Sequence, residues 1–88
     1  MTLIDEIIAN FNWKEVHQYV VKTQWYWDRG YFAHIPTIEE MQQTVRQLYQ
    51  DIGNESIIER NGFILYHNTH TRAYTLWFAM EQWTVLES

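Results

Sequence analysis

The hydrophobic period of this chain changes once, and that change sets its fold class. Between Thr37 and Ile52 the apolar residues are Ile38, Met41, Val45, Leu48 and Ile52, with Tyr49 beside them. A spacing of three and four lines one face of a helix. The opposite face carries Glu39, Glu40, Gln43, Arg46, Gln47 and Gln50. In the last third the period becomes two: Tyr74, Leu76, Phe78 and Met80 alternate with Ala73, Thr75, Trp77 and Ala79. That is the pattern of a half-buried strand. Helical segments followed by strands predict an α+β fold, with three helices packed on a small antiparallel sheet of two or three strands.

The boundaries follow from local signals. Residues Thr2 to Asn10 read as a short helix, with Ile4, Ile7, Ile8 and Phe11 at helical spacing and Thr2 as its cap. Asn12 with Glu15 three residues on starts a second helix, expected from Trp13 to about Tyr26. Its stripe is Trp13, Val16, Val20 and Trp27, with His17 and Gln24 inside it. Gly30 ends this segment, and Tyr31 to Pro36 is a loop. Thr37 and Glu40 form a capping box for the third and clearest helix, which stops near Ile52 before Gly53-Asn54. Strands are expected over Ser56 to Arg60, Phe63 to His67 and Ala73 to Met80. Asn61-Gly62 between apolar runs is a hairpin signal, and Asn68-Thr69-His70-Thr71 is a second turn. Trp83, Val85 and Leu86 fold back as a tail or continue a strand.

The chain of 88 residues is read as a single domain, 1–88. A domain of this size needs a core dense in large side chains. Five Trp, six Tyr and four Phe supply it, and exceed it, so that some rings are exposed or covered by a partner. The absence of cysteine excludes a disulfide scaffold and suits a reducing compartment. Met1 to Glu6 lacks the basic segment of a signal peptide, and no apolar run approaches the roughly 20 residues of a membrane span. A net charge of −5, with only six scattered basic residues, argues against a polynucleotide partner.

Catalytic constellations are not found. There is no glycine-rich phosphate loop, nucleophile elbow or zinc-protease helix, and Asp5-Glu6 and Glu39-Glu40 sit at helix starts where capping explains them. The expectation is a protein without catalytic residues, cofactor or metal. His67 and His70 bracket a turn and read as solvent-exposed rather than as metal ligands. His17 reads as a satisfied buried histidine; with Gln24 on the same stripe it would alternatively line a pocket for a polar planar ligand.

The run Trp25-Tyr26-Trp27 followed by Tyr31, Phe32 and His34 cannot place all its rings on one face, because consecutive helical residues point about 100° apart. If Trp27 serves the core, Trp25 and Tyr26 cannot both do so. Either the following loop folds over them, or Trp25 or Tyr26 forms a binding surface with Tyr31, Phe32 and His34. On the sheet, the face holding Trp77, Ile64 and Tyr66 is too apolar to sit comfortably in water.

The run Phe11-Asn12-Trp13 with Val16, then Trp25-Tyr26-Trp27, Ile35-Pro36-Thr37-Ile38-Glu39-Glu40-Met41, Leu48-Tyr49, Asn61-Gly62-Phe63 and a strand with Leu76 and Phe78 resembles small uncharacterised proteins encoded by tailed bacteriophages. The resemblance covers residues 11 to 80 and departs at Asn61, where that group has a second glycine. It implies an accessory protein in the cytoplasm of an infected bacterium, of the kind that interferes with host enzymes or defence systems. The functional expectation is a non-catalytic homodimer or higher homo-oligomer that binds and inhibits a host protein. The alternative is sequestration of a small nucleotide-like ligand, and an enzyme or a phage structural component stands behind both.

Overall fold

The computed structural model describes residues 2–86. Helix α1 spans Leu3–Asn10, α2 Trp13–Thr23, α3 Trp25–Asp28 and α4 Ile38–Asp51. Strands β1 Ile57–Arg60, β2 Phe63–Asn68, β3 Ala73–Phe78 and β4 Glu81–Leu86 form one antiparallel sheet in the order β1-β2-β3-β4. The architecture is α+β, but the described residues hold four helices and four strands, where three helices and two or three strands were expected.

Both differences arise at non-glycine residues in the left-handed region. Gln24, at φ 55° and ψ 33°, breaks the second helix and lets α3 start in a new direction. Ala79, at φ 52°, begins a two-residue turn that ends β3 at Phe78, so that Glu81 to Leu86 returns as β4. Gln and Ala do not favour that conformation, so neither break is marked by its residue type. Asn61 and Gly62 do favour it. They take φ 54° and 86° and close the expected β1–β2 hairpin.

The helix starts are held by their caps. The Thr2 hydroxyl accepts from the Asp5 N–H at 3.3 Å and donates to the Asp5 carboxylate at 2.8 Å. At α4 the Glu40 N–H donates to the Thr37 hydroxyl at 3.1 Å, and the Thr37 N–H donates to Glu40 Oε1 at 2.9 Å. An ion pair from Arg46 to Asp5, at 2.9 Å, ties α4 to α1.

The helical stripes and one face of the sheet meet in the core. Ile7, Phe11, Val16, Val20, Met41, Val45 and Leu48 are buried against Phe63, Leu65, Leu76, Phe78 and Val85. Helix α1 packs over β4, and α4 over β1 and β2. Each buried Leu, Ile, Val or Phe contributes about 1.5–3 kcal/mol. The helices leave the other face of the sheet uncovered. Among the described residues, no helix is long and apolar enough to cross a membrane.

Candidate functional site

Two aromatic regions compete for the role of a binding surface. In the first, the left-handed Gln24 resets the helical phase, and this reverses the expected assignment of the rings. Trp25 and Tyr26 turn inward and pack on the core, while Trp27, expected in the core, is 68% exposed. The Trp25 ring lies 5.8 Å from Tyr19, 6.1 Å from Tyr31 and 5.7 Å from Phe78 between centroids, with the Arg29 guanidinium 4.8 Å from its centre. Its Nε1 is buried without a hydrogen-bond partner among the described residues, close against the hairpin at Gly62. Tyr31 and Phe32 are half-buried, and their N–H groups donate to the Tyr26 carbonyl at 3.0 and 3.4 Å. The loop therefore folds over the run, as in the first of the two alternatives.

The remaining polar residues of this region are engaged separately. His34 is exposed, and its Nε2 meets the Glu40 carboxylate at 2.8 Å. The Thr37 N–H, and secondarily His34, hold the Glu40 carboxyl below its ordinary range. His17 is half-buried and its Nε2 donates to the Pro36 carbonyl at 3.1 Å. Gln24 is exposed. His17 with Gln24 thus does not wall the pocket that their shared stripe suggested, because the break at Gln24 takes that residue out of the stripe. His67 is not at a turn tip. It lies in β2, half-buried, with its ring stacked on Tyr74 at 4.2 Å and 2°. His70 is exposed in the turn, where the Asn68 Oδ1 accepts from the N–H groups of His70 and Thr71.

The second region is the outer face of the sheet. The two-residue hairpin at Asn61-Gly62 sets Ile57 opposite Tyr66 and Glu59 opposite Ile64. The next strands set Ile64 opposite Trp77, Tyr66 opposite Thr75, and Thr75 opposite Thr84. Register therefore gathers Ile57, Ile64, Tyr66, Thr75, Trp77 and Leu86 on one side. Ile57 is 48% exposed, Tyr66 38%, Trp77 41% and Leu86 69%. Tyr66 and Trp77 form a tilted pair at 5.8 Å, and the Thr75 and Thr84 hydroxyls hydrogen-bond at 2.8 Å. A groove of about 390 Å³ runs along this face, lined by Ser56, Ile57, Tyr66, His67, Asn68, Thr75 and Trp77. It is open to solvent on one side.

Trp77 is the one residue of the expected binding set that this groove includes. Trp25, Tyr26, Tyr31, Phe32, His34, His17 and Gln24 lie elsewhere. Ser56, Ile57, Tyr66, His67, Asn68 and Thr75, which line the groove with Trp77, were not in that set. Their signal was the Asn61-Gly62 turn, because a two-residue hairpin fixes which side chains stand opposite each other. A smaller depression of about 70 Å³ lies between α2 and the β3–β4 turn, lined by Glu15, Val16, Tyr19, Phe78, Ala79, Met80 and Glu81. It has room for about two water molecules.

Arranged this way, the outer face offers stacking walls and neutral hydrogen-bonding groups. No family model, curated protein or solved structure matches the chain.

Proposed function

We propose that this chain is a non-catalytic accessory protein of the tailed-phage kind, which binds and sequesters a host component and so blocks a host system. It would act in the cytoplasm of an infected bacterium. The origin and the setting rest on the resemblance carried by Trp25-Tyr26-Trp27 and the Pro36-led helix. The binding reading rests on one observation: the neighbouring rings of Tyr66 and Trp77 line a groove of about 390 Å³ on the outer sheet face. That volume falls within the roughly 300–1,000 Å³ of small-molecule sites.

The groove favours a small ligand with a flat ring, such as the base of a nucleotide. Stacking on an aromatic side chain is worth about 1–3 kcal/mol per base. Ser56, Asn68 and Thr75 add hydroxyl and amide groups at its edge. No Lys or Arg lines it, so recognition would run through the base rather than through phosphates. The non-catalytic part of the reading is supported by Asp5 and Glu40. Hydrogen bonds from Thr2 lower the pKa of Asp5 first and Arg46 second, and the Thr37 N–H lowers that of Glu40. Both acids thus serve as helix caps.

Thermal melting in the presence of nucleosides, cyclic dinucleotides and ADP-ribose tests this reading. A ligand held by the native state raises the melting temperature by mass action. The expected result is a shift with at least one of these, lost in Trp77→Ala and kept in Trp27→Ala. A flat response to all of them removes the nucleotide reading. The second reading, a host protein on the same face, is favoured by the exposed aliphatic side chain of Leu86, which a small ligand in the groove leaves bare. It predicts that one host protein co-purifies with the wild type and not with Trp77→Ala.

A further inference from the structure

The side chains of the groove have more hydrogen bonds to give than to take. Asn68 is the one whose polarity is fixed by its surroundings. Its Oδ1 accepts from the N–H of His70 at 3.0 Å and from the N–H of Thr71 at 3.2 Å. An amide oxygen has two lone pairs, and the turn uses both. The same two bonds settle which end of the amide is which, since the nitrogen in that place would set donor against donor. What Asn68 has left is Nδ2, with two hydrogens and no hydrogen-bond partner among the described residues. Asn68 is exposed and lines the groove.

The neighbouring groups do not offset this. Trp77 brings an indole N–H, which only donates. Ser56, Tyr66 and Thr75 bring hydroxyls, which donate or accept, and that of Thr75 already shares a bond with Thr84 at 2.8 Å. His67 alternates with Tyr66 and Asn68 along β2, so its ring stands on the other side of the sheet, stacked on Tyr74. No Asp or Glu lines the groove. Among its side chains there are fixed donors and no fixed acceptor left open. Asn68 is also well placed to read a stacked ring. It stands two residues beyond Tyr66 on the same side of β2, about 7 Å along the strand. A flat ring against Tyr66 brings one edge within reach of Nδ2.

We infer that the groove reads a base through a ring carbonyl, with Asn68 Nδ2 as the donor, and so selects uracil- and hypoxanthine-type bases over their amino counterparts. This rests on the groove being a base site and narrows which bases fit it. An asparagine with both ends free pairs with adenine, donating to a ring nitrogen and accepting from the amine. Here the accepting end is spent on the turn. A carbonyl oxygen facing Nδ2 completes a hydrogen bond. An exocyclic amine in the same place sets two donors against each other, and both lose the water that satisfied them.

Matched nucleosides test the selection. Uridine and cytidine differ at one exocyclic position, carbonyl against amine, and at the protonation of the ring nitrogen beside it. Inosine and adenosine differ in the same way. NMR titrations of the isotope-labelled wild type and of Asn68→Asp give dissociation constants and show which side-chain N–H signals move. Uridine should bind about tenfold more tightly than cytidine, and inosine than adenosine, the worth of one hydrogen bond made against one lost. The Asn68 amide and Trp77 indole signals should shift with the carbonyl member of each pair. Asn68→Asp keeps an oxygen for the two turn N–H groups and exchanges the amine for an acceptor, so the order within each pair should reverse. Where that variant fails to fold, the wild-type order and the Asn68 amide signals decide. Equal binding within the pairs, or tighter binding of the amino member, overturns the inference and leaves the base site standing. So does an order that persists unchanged in Asn68→Asp. Silence from all four nucleosides overturns the inference as well; if cyclic dinucleotides and ADP-ribose are also silent, the base site falls with it.

Discussion

Trp25 and Trp77 are both tryptophans in aromatic surroundings, and the molecule uses them in opposite ways. Trp25 stands in a run of rings that sequence reasoning marks for attention, and the structure folds Tyr19, Tyr31 and Phe78 around it. Trp77 stands in an alternating strand, beside Tyr66, and the chain leaves that pair uncovered. Local ring density is therefore a poor guide to exposure. A cluster that is close in sequence can close on itself through a short loop. A sheet has two faces, and a chain with its helices on one side cannot cover the other.

The largest effect expected from this contrast is on stability. Trp25→Ala should cost about 2–4 kcal/mol, by removing packing from the core edge. This lowers the melting temperature by roughly 10–20 °C. Trp77→Ala should cost the single chain no more than about 1 kcal/mol, the scale of a cross-strand pair. Equal losses in denaturant titrations of the two variants would break the distinction between a core ring and a surface ring.

Gly62 sharpens the comparison, because it belongs to the sheet hairpin and yet packs on Trp25. A Cβ there would lie 2.6 Å from Trp25 Nε1 and 3.1 Å from Phe78, at φ +86°. Gly62→Ala should therefore cost about 2–3 kcal/mol, from overpacking together with a strained backbone. It should also change the near-ultraviolet signal of the tryptophans. A variant as stable as the wild type would mean that Trp25 is not held against the hairpin.

The smallest effect is on the acid side. Glu40 has a folded-state pKa below its ordinary value of 4.5, and Asp5 one below 3.8. An unfolded chain takes up protons before these folded groups do. Their contribution is thus fully present above the ordinary values and is lost as pH falls through them toward the depressed ones. Denaturant midpoints measured between neutral pH and pH 3 should fall on this limb, and Glu40→Gln should flatten part of the fall. A Glu40→Gln curve that superimposes on the wild type would show that the α4 cap carries no linkage.

Much of the fold was legible. The capping boxes at Thr2 and Thr37 are where their residue spacing put them, and the helical stripe from Met41 to Ile52 is buried. The Asn61-Gly62 hairpin and the shared face of Ile64, Tyr66 and Trp77 followed from turn chemistry and period two. The two breaks at Gln24 and Ala79 were not legible, since both residues resemble continuation of the element before them. Those two angles account for the inverted assignment of Trp25 and Trp27 and for the fourth strand. Within the expected binding set, Gln24, Trp25 and Tyr26 depended on the phase of a helix that stops at Thr23.

The order of apolar and polar residues determined the elements, their caps and the face each presents, because those depend on spacing along the chain and on neighbours within a few positions. Only the tertiary structure decided which rings are covered and which strand continues into which, because the left-handed torsions at Gln24 and Ala79 redirect the chain at residues whose type does not announce a break.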